Sequence, residues 1–183
     1  MVLVAITGAS GVELAVTLLK QLKKHGKSTE LIITDVAKKI INIETKYELA
    51  EIIELSDEYY EVDDLTAGPA SGSYKNNVMV VIPCSMKTLA AIANGYADNL
   101  ITRAADVIIK ERRKLILVVR ESPFSAIHLE NMLKLSRLGV VIAPPIPSYY
   151  IKPKSIKDLN DYFVGRILDQ MGIESGIKRW GDK

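Results

Sequence analysis

Four short stretches of this chain bring together glycines, hydroxyls and cations in patterns that suit an anionic ligand. The first is Thr7-Gly8-Ala9-Ser10-Gly11. Its glycines let a ligand approach the backbone closely, and a helix N-terminus with free N–H groups follows. It is not a full dinucleotide fingerprint, because Glu13 stands where that pattern needs its third glycine. The second stretch is Thr34-Asp35. The third is Pro83-Cys84-Ser85-Met86-Lys87-Thr88, whose hydroxyls either cap a helix or hold a phosphate. The fourth is Arg120-Glu121-Ser122-Pro123, readable as an internal salt bridge or as a charged pair at a binding edge.

Each stretch follows an apolar run of strand length. Val2–Ile6, Leu31–Ile33, Val78–Ile82 and Lys114–Val119 read as buried strands, joined by Val140–Ala143 and a short Tyr59–Val62. Helical patterns fill the gaps: from Ser10 to about Gly26, 36–55 with a break near Tyr47, 85–95, 98–112, 125–137 and 155–171. In the last of these Ile156, Leu159, Phe163, Ile167 and Met171 keep helical spacing. Residues 63–77, with Gly68, Pro69, Gly72 and Asn76-Asn77, form a loop long enough to suggest a functional role. Strands alternating with helices predict an α/β fold: one domain over 1–183, a doubly wound and mostly parallel sheet of Rossmann-like or flavodoxin-like kind, and a tail from about 173. Such sheets bind ligands beyond the carboxyl ends of their strands, where all four stretches fall.

Composition narrows the class. Of 183 residues 48% are hydrophobic and 25% charged, and the formal net charge of +2 gives no argument for nucleic acid or an acidic membrane. No apolar run approaches the ~18–20 residues that span a bilayer, and Met1–Ile6 lacks the basic start of a signal peptide. Cys84 is the only cysteine and there are two histidines, so neither a disulfide nor a zinc site is expected. A reducing, cytoplasmic setting is the expectation. Cys84 reads as a small buried turn residue rather than a nucleophile, and His128 as a packing or capping residue.

Longer motifs carry a resemblance. Gly8-Ala9-Ser10-Gly11, Ala70-Ser71-Gly72-Ser73-Tyr74, Pro83-Cys84-Ser85-Met86-Lys87-Thr88-Leu89, Arg103-Ala104-Ala105-Asp106-Val107, Lys110-Glu111-Arg112-Arg113, Arg120-Glu121, Ile127-His128-Leu129-Glu130-Asn131-Met132-Leu133 and Asp158-Leu159 together resemble the UbiX-type flavin prenyltransferases over nearly the whole chain. The resemblance implies a metal-independent enzyme that joins a dimethylallyl group, from dimethylallyl monophosphate, to N5 and then C6 of reduced FMN. It implies trimers packed into a homododecamer, and a UbiD-type decarboxylase as recipient of the prenylated FMN.

By the same resemblance Gly8, Ala9, Ser10, Thr34, Ser85, Met86, Lys87, Thr88 and Arg120 contact FMN. Tyr150 and Arg166 hold the prenyl phosphate, with Arg103, Lys110, Arg120 and Glu121 shaping that pocket from neighbouring subunits. Ser10, Glu44, Lys110 and Glu121 are the catalytic candidates, with Ser10 a hydrogen-bond relay and Glu44 the acid/base partner. Physical chemistry fits this assignment. Two phosphate monoesters side by side, each carrying about −1.5 to −2 charges, need several cations, and arginine's fork keeps its charge on burial. The departing phosphate leaves an allyl cation-like fragment, for which a π-face is useful; Trp180 and Tyr74 are the candidates. Thr34 replaces the commoner serine, Val12-Glu13 is less typical, and Arg166 stands for a lysine of some relatives. The alternatives are a non-catalytic FMN carrier or chaperone, and an FMN-dependent cysteine decarboxylase. The second is disfavoured because the Asn-containing substrate motif of those enzymes does not appear.

Overall fold

Val2–Ile6, buried at every position, form the central strand β1 of the computed structural model, which describes residues 1–182. Around it stand β2 (Thr29–Ile33), β3 (Glu58–Tyr60), β4 (Val78–Cys84), β5 (Lys114–Val119) and β6 (Val141–Ile142). All pairings are parallel, in the order β3-β2-β1-β4-β5-β6. Of the two expected kinds this is the Rossmann order, with its switch point between β1 and β4. A strand buried on both faces needs no alternation of apolar and polar residues, which is why the strands read as continuous apolar runs.

Helices α1 (Val12–Lys24), α2 (Asp35–Glu44), α3 (Leu49–Ile53), α4 (Met86–Ala93), α5 (Leu100–Lys110), α6 (Ala126–Arg137) and α7 (Ile156–Gln170) cover the sheet. One core, with Leu18, Leu19 and Leu22 of α1 and Val164, Ile167 and Leu168 of α7, packs on one face. A second, with Leu89 and Ile92 of α4 and Ala104, Ala105 and Ile108 of α5, packs on the other.

The break expected near Tyr47 is present: Thr45 ends α2 in extended backbone and Glu48 starts α3 in a capping box with Glu51. Several boundaries differ from the sequence reading. Strand β2 begins two residues early, at Thr29 and Glu30, which are polar yet 2% and 0% exposed. Strand β3 is shifted to 58–60. Helix α1 starts at Val12 rather than Ser10, since Gly11 adopts φ +105, outside the helical region.

The 63–77 loop holds a 3₁₀ turn at Gly68–Ala70 and is tied down along its length. Arg103 Nε donates to the Ala70 carbonyl at 3.0 Å. Arg113 donates to the carbonyls of Gly72 and Tyr74, both at 2.7 Å. The Tyr74 hydroxyl donates to the carboxyl of Glu30, which also accepts from Tyr60 at 3.0 Å. Burial, with Tyr74 and Glu30 alongside, pushes the Tyr60 phenol far above its ordinary range, so it stays a donor.

Candidate active site at the strand ends

Thr7 joins the two strands that flank the switch point. Its hydroxyl, 1% exposed, donates to the Pro83 carbonyl at 2.8 Å and accepts from the Ser85 N–H at 2.8 Å. In the sequence Thr7 reads only as part of a glycine turn, and this role is missed; a threonine ending an otherwise apolar strand is the available signal. Because Thr7 fixes the backbone that presents Ser85, Thr7→Val is expected to lower stability by ~1–2 kcal/mol and to weaken several-fold the binding of the FMN that the resemblance implies. Thermal melting and flavin titration of that variant check both effects.

Ser85 caps α4: its hydroxyl accepts from the Thr88 N–H at 3.3 Å and lies 3.1 Å from the Thr88 hydroxyl. Met86 and Lys87 open this helix, Met86 half-buried and Lys87 exposed. Thr34 likewise caps α2, accepting from Ala37 at 3.2 Å, while its own N–H donates to the Ile6 carbonyl. Gly8 and Ala9 carry the chain between these caps. A Cβ on Gly8 would stand 2.7 Å from Val36 Cγ1, so only glycine permits this approach to α2.

Glu44, at the end of α2, reaches the start of α1. Its Oε2 accepts from the N–H groups of Gly11 at 2.8 Å and Val12 at 3.2 Å. Burial by itself would raise its pKa. The Ser10 hydroxyl, the two N–H groups and the charge of Arg120 outweigh that effect and hold it below its ordinary value. Glu44 is therefore a carboxylate at neutral pH, able to accept a proton but not poised to give one. It also occupies the α1 N-terminus, which leaves α4 as the helix start better placed for an external anion.

Arg120 and Glu121 follow β5 directly and are exposed; the Arg120 N–H donates to the Cys84 carbonyl at 3.1 Å. The Glu121 carboxyl accepts from the Ser122 N–H at 2.9 Å. Ser10, Glu44, Thr34, Ser85 and Arg120 thus come from four separate segments to one edge of the sheet.

Tyr150 and Arg166 form a second group. The Tyr150 hydroxyl bonds to that of Tyr162, and the positive charge of Arg166 acts on it. Trp180 stands edge-on to Tyr150, with ring centroids 5.1 Å apart. Arg166 borders a concavity of about 320 Å³ between the end of β6 and α7.

Lys110 is not brought to this edge within the protomer, and Arg103, in the first turn of α5, is engaged by other partners. Arg103 is committed to Ala70 and to Asp106, at 2.8 Å. Lys110 contacts Glu111 and lies four residues before Lys114, the first residue of β5. That is the opposite edge from Arg120, a strand length of roughly 20 Å away. Tyr74 is also engaged elsewhere, on Glu30, and is not free to face a ligand at the strand ends. Cys84 is wholly buried and burial pushes its thiol well up, which suits the inert role expected of it. His128 caps α6 in a reciprocal pair with Ser125. Among the described residues no group of three His, Cys, Asp or Glu side chains could hold a metal ion, and no helix is long and apolar enough to cross a membrane.

Comparison with known proteins gives this arrangement a family. The Flavoprotein family model matches residues 1–168. A flavin prenyltransferase UbiX of Methanocaldococcus jannaschii is 54% identical over 181 residues, covering 98% of both chains. A crystal structure of AnUbiX (PadA1) in complex with FMN and dimethylallyl pyrophosphate superposes with a TM-score of 0.98 at 45% identity, over 100% of this chain and 97% of that one. A dodecameric FMN-dependent UbiX-like decarboxylase of Escherichia coli O157:H7 gives 0.94 at 46% identity, over 98% and 99%. With its sheet order, its hydroxyl-lined strand ends and this likeness over its full length, the chain belongs to the flavoprotein family, among the UbiX-type flavin prenyltransferases.

Proposed function

We propose that this protein is a flavin prenyltransferase that joins a dimethylallyl group from dimethylallyl monophosphate to N5 and C6 of reduced FMN, without a metal. The observation that carries the reading is the convergence of Ser10, Glu44 and Arg120 at one strand-end corner, next to the hydroxyl-capped start of α4. The donor set suits FMN. The first turn of α4 with Ser85, Met86, Lys87 and Thr88 would take its phosphate, and Gly8, Ala9, Ser10, Thr34 and Arg120 would border the ring. The reduced flavin supplies the nucleophilic ring atoms.

Everything else falls to the chain's own groups. The guanidinium of Arg166 and the Tyr150 hydroxyl hold the donor phosphate and stabilise the charge that gathers on it as it leaves. The Glu44 carboxylate, tied to Ser10, accepts a proton released during ring closure; Ser10 carries it. Lys110 lies too far from Arg120 to serve the same protomer, which supports a site completed by neighbouring copies in a trimer-based dodecamer. Exposed Ile43, Ile127, Tyr149 and Ile156 offer apolar surface for such an assembly. We assign the product to a UbiD-type decarboxylase and, on the single reduced thiol, the protein to the cytoplasm.

Tyr150 and Arg166 separate an enzyme from an FMN carrier or chaperone, because a carrier needs no second phosphate site. Calorimetric titration of dimethylallyl monophosphate, and separately of the pyrophosphate, into the FMN-loaded protein tests this. Saturable binding that is lost in Arg166→Gln is the expected result; no binding of either donor would favour the carrier.

A further inference from the structure

Residues 173–182 form no helix or strand, yet they lie back along α7. Ordering a coil segment costs backbone entropy at every residue, so specific contacts must hold them. Three do. Ile177 fits against Gly165, where a Cβ would meet Ile177 Cγ2 at 2.2 Å. Asp169, its side chain 15% exposed, accepts from Arg179 Nη1 and Nη2 at 2.9 and 3.0 Å and from the Ser175 hydroxyl at 2.9 Å. Trp180, the next residue, then rests edge-on against Tyr150. A two-pronged guanidinium–carboxylate contact fixes direction as well as distance. Asp169 therefore decides where the Trp180 ring sits.

The same carboxylate touches Arg166, at a longer 3.4 Å. Arg179 takes both oxygens of Asp169 in short bonds and leaves Arg166 only this single long contact. The Arg166 guanidinium keeps most of its donors for another anion.

We propose that Asp169 is a positioning residue for the prenyl-donor side of the site: by clasping Arg179 it seats the tail and Trp180 on Tyr150, and it keeps Arg166 loosely oriented toward the donor phosphate. The proposal rests on the reading that Tyr150 and Arg166 hold that phosphate. Asp169 itself touches no reactant.

The test uses Asp169→Asn, Arg179→Gln and the double variant in the full chain loaded with FMN. Trp180 is the only tryptophan, so its fluorescence anisotropy reports the tail directly. Each single variant is expected to lower that anisotropy and raise the KM for dimethylallyl monophosphate about tenfold, through lost preorganisation, with kcat and FMN affinity within about twofold. The double variant should match Asp169→Asn, about tenfold rather than a hundredfold, because Asp169→Asn already removes the clasp that Arg179→Gln removes. Arg179→Gln lies on the exposed tail and guards against a folding defect at Asp169. A freed tail with unchanged donor KM, or a hundredfold effect in the double variant, overturns the proposal. Tyr150→Phe and Arg166→Gln, measured alongside, separate the two levels. If they raise the donor KM while Asp169→Asn does not, only the role of Asp169 fails; if they too are silent, the reading of the donor site fails and the proposal with it.

Discussion

Glu44→Gln is expected to bind FMN with an affinity within a few-fold of the unaltered protein and to turn over roughly 10²–10⁴ times more slowly, the worth of one general base. The amide keeps an acceptor for the N–H groups of Gly11 and Val12, so the start of α1 stays capped. What it loses is the charge and the ability to take a proton from Ser10. Glu44→Ala would lose both the cap and the base, and would melt earlier as well. A second arm uses pH. The folded-state pKa of Glu44 lies below its ordinary value of 4.5, so its contribution to stability is complete above that value and lost as the pH falls through the lowered one. In the flavin-free protein, stability should therefore fall more steeply with acid for the unaltered chain than for Glu44→Gln. Turnover by Glu44→Gln at the unaltered rate would reduce Glu44 to a helix cap.

Removing both hydroxyls from the half-buried pair in Tyr60→Phe/Tyr74→Phe is expected to destabilise the protein by ~3 kcal/mol or more, because the buried Glu30 then loses its partners. Glu30 is 0% exposed and receives its hydrogen bonds from these two phenols. Without them a buried carboxyl stands unpaired, which costs more than the bonds themselves were worth. For a chain of this size that corresponds to a fall in Tm of about 10 °C. Adding Glu30→Leu to the double variant should recover much of the loss, since the group needing partners is gone. Loop 68–74 would still be held by Arg103 and Arg113. A double variant that melts like the original protein would show that the Glu30 cluster carries no weight.

The strands are legible because a strand buried on both faces declares itself as an unbroken apolar run, and most of the six do. The start of β2 is hidden by Thr29 and Glu30, polar residues whose burial depends on Asp57 and on Tyr60 and Tyr74, far away in the chain. The α2–α3 break reads near Tyr47, close to its true position, although its cause lies in the caps at Thr45 and Glu48. At the site, Ser10, Thr34, Ser85 and Arg120 can be picked out because glycines, hydroxyls and a cation directly follow strands. Thr7 offers only the weak signal of a hydroxyl ending an apolar strand, because its two hydrogen bonds cross 76 and 78 residues of sequence. Glu44 is marked by resemblance alone; nothing in a helical stretch such as Ile40-Ile41-Asn42-Ile43-Glu44 says that its last carboxylate caps another helix. The Asp169–Arg179 clasp is equally invisible, since residues from about 173 read only as a tail with no pattern that pairs them to α7.

The catalytic and substrate-binding roles assigned to Ser10, Glu44, Tyr150 and Arg166 depend on prenyl transfer to the flavin. To observe that transfer, the purified protein is mixed with FMN, reduced without oxygen and given dimethylallyl monophosphate. The extracted flavin is then weighed by mass spectrometry while phosphate release is followed. A flavin heavier by one dimethylallyl unit, with one phosphate released for each, is the expected result. A flavin that stays tightly bound and unchanged in mass would contradict it.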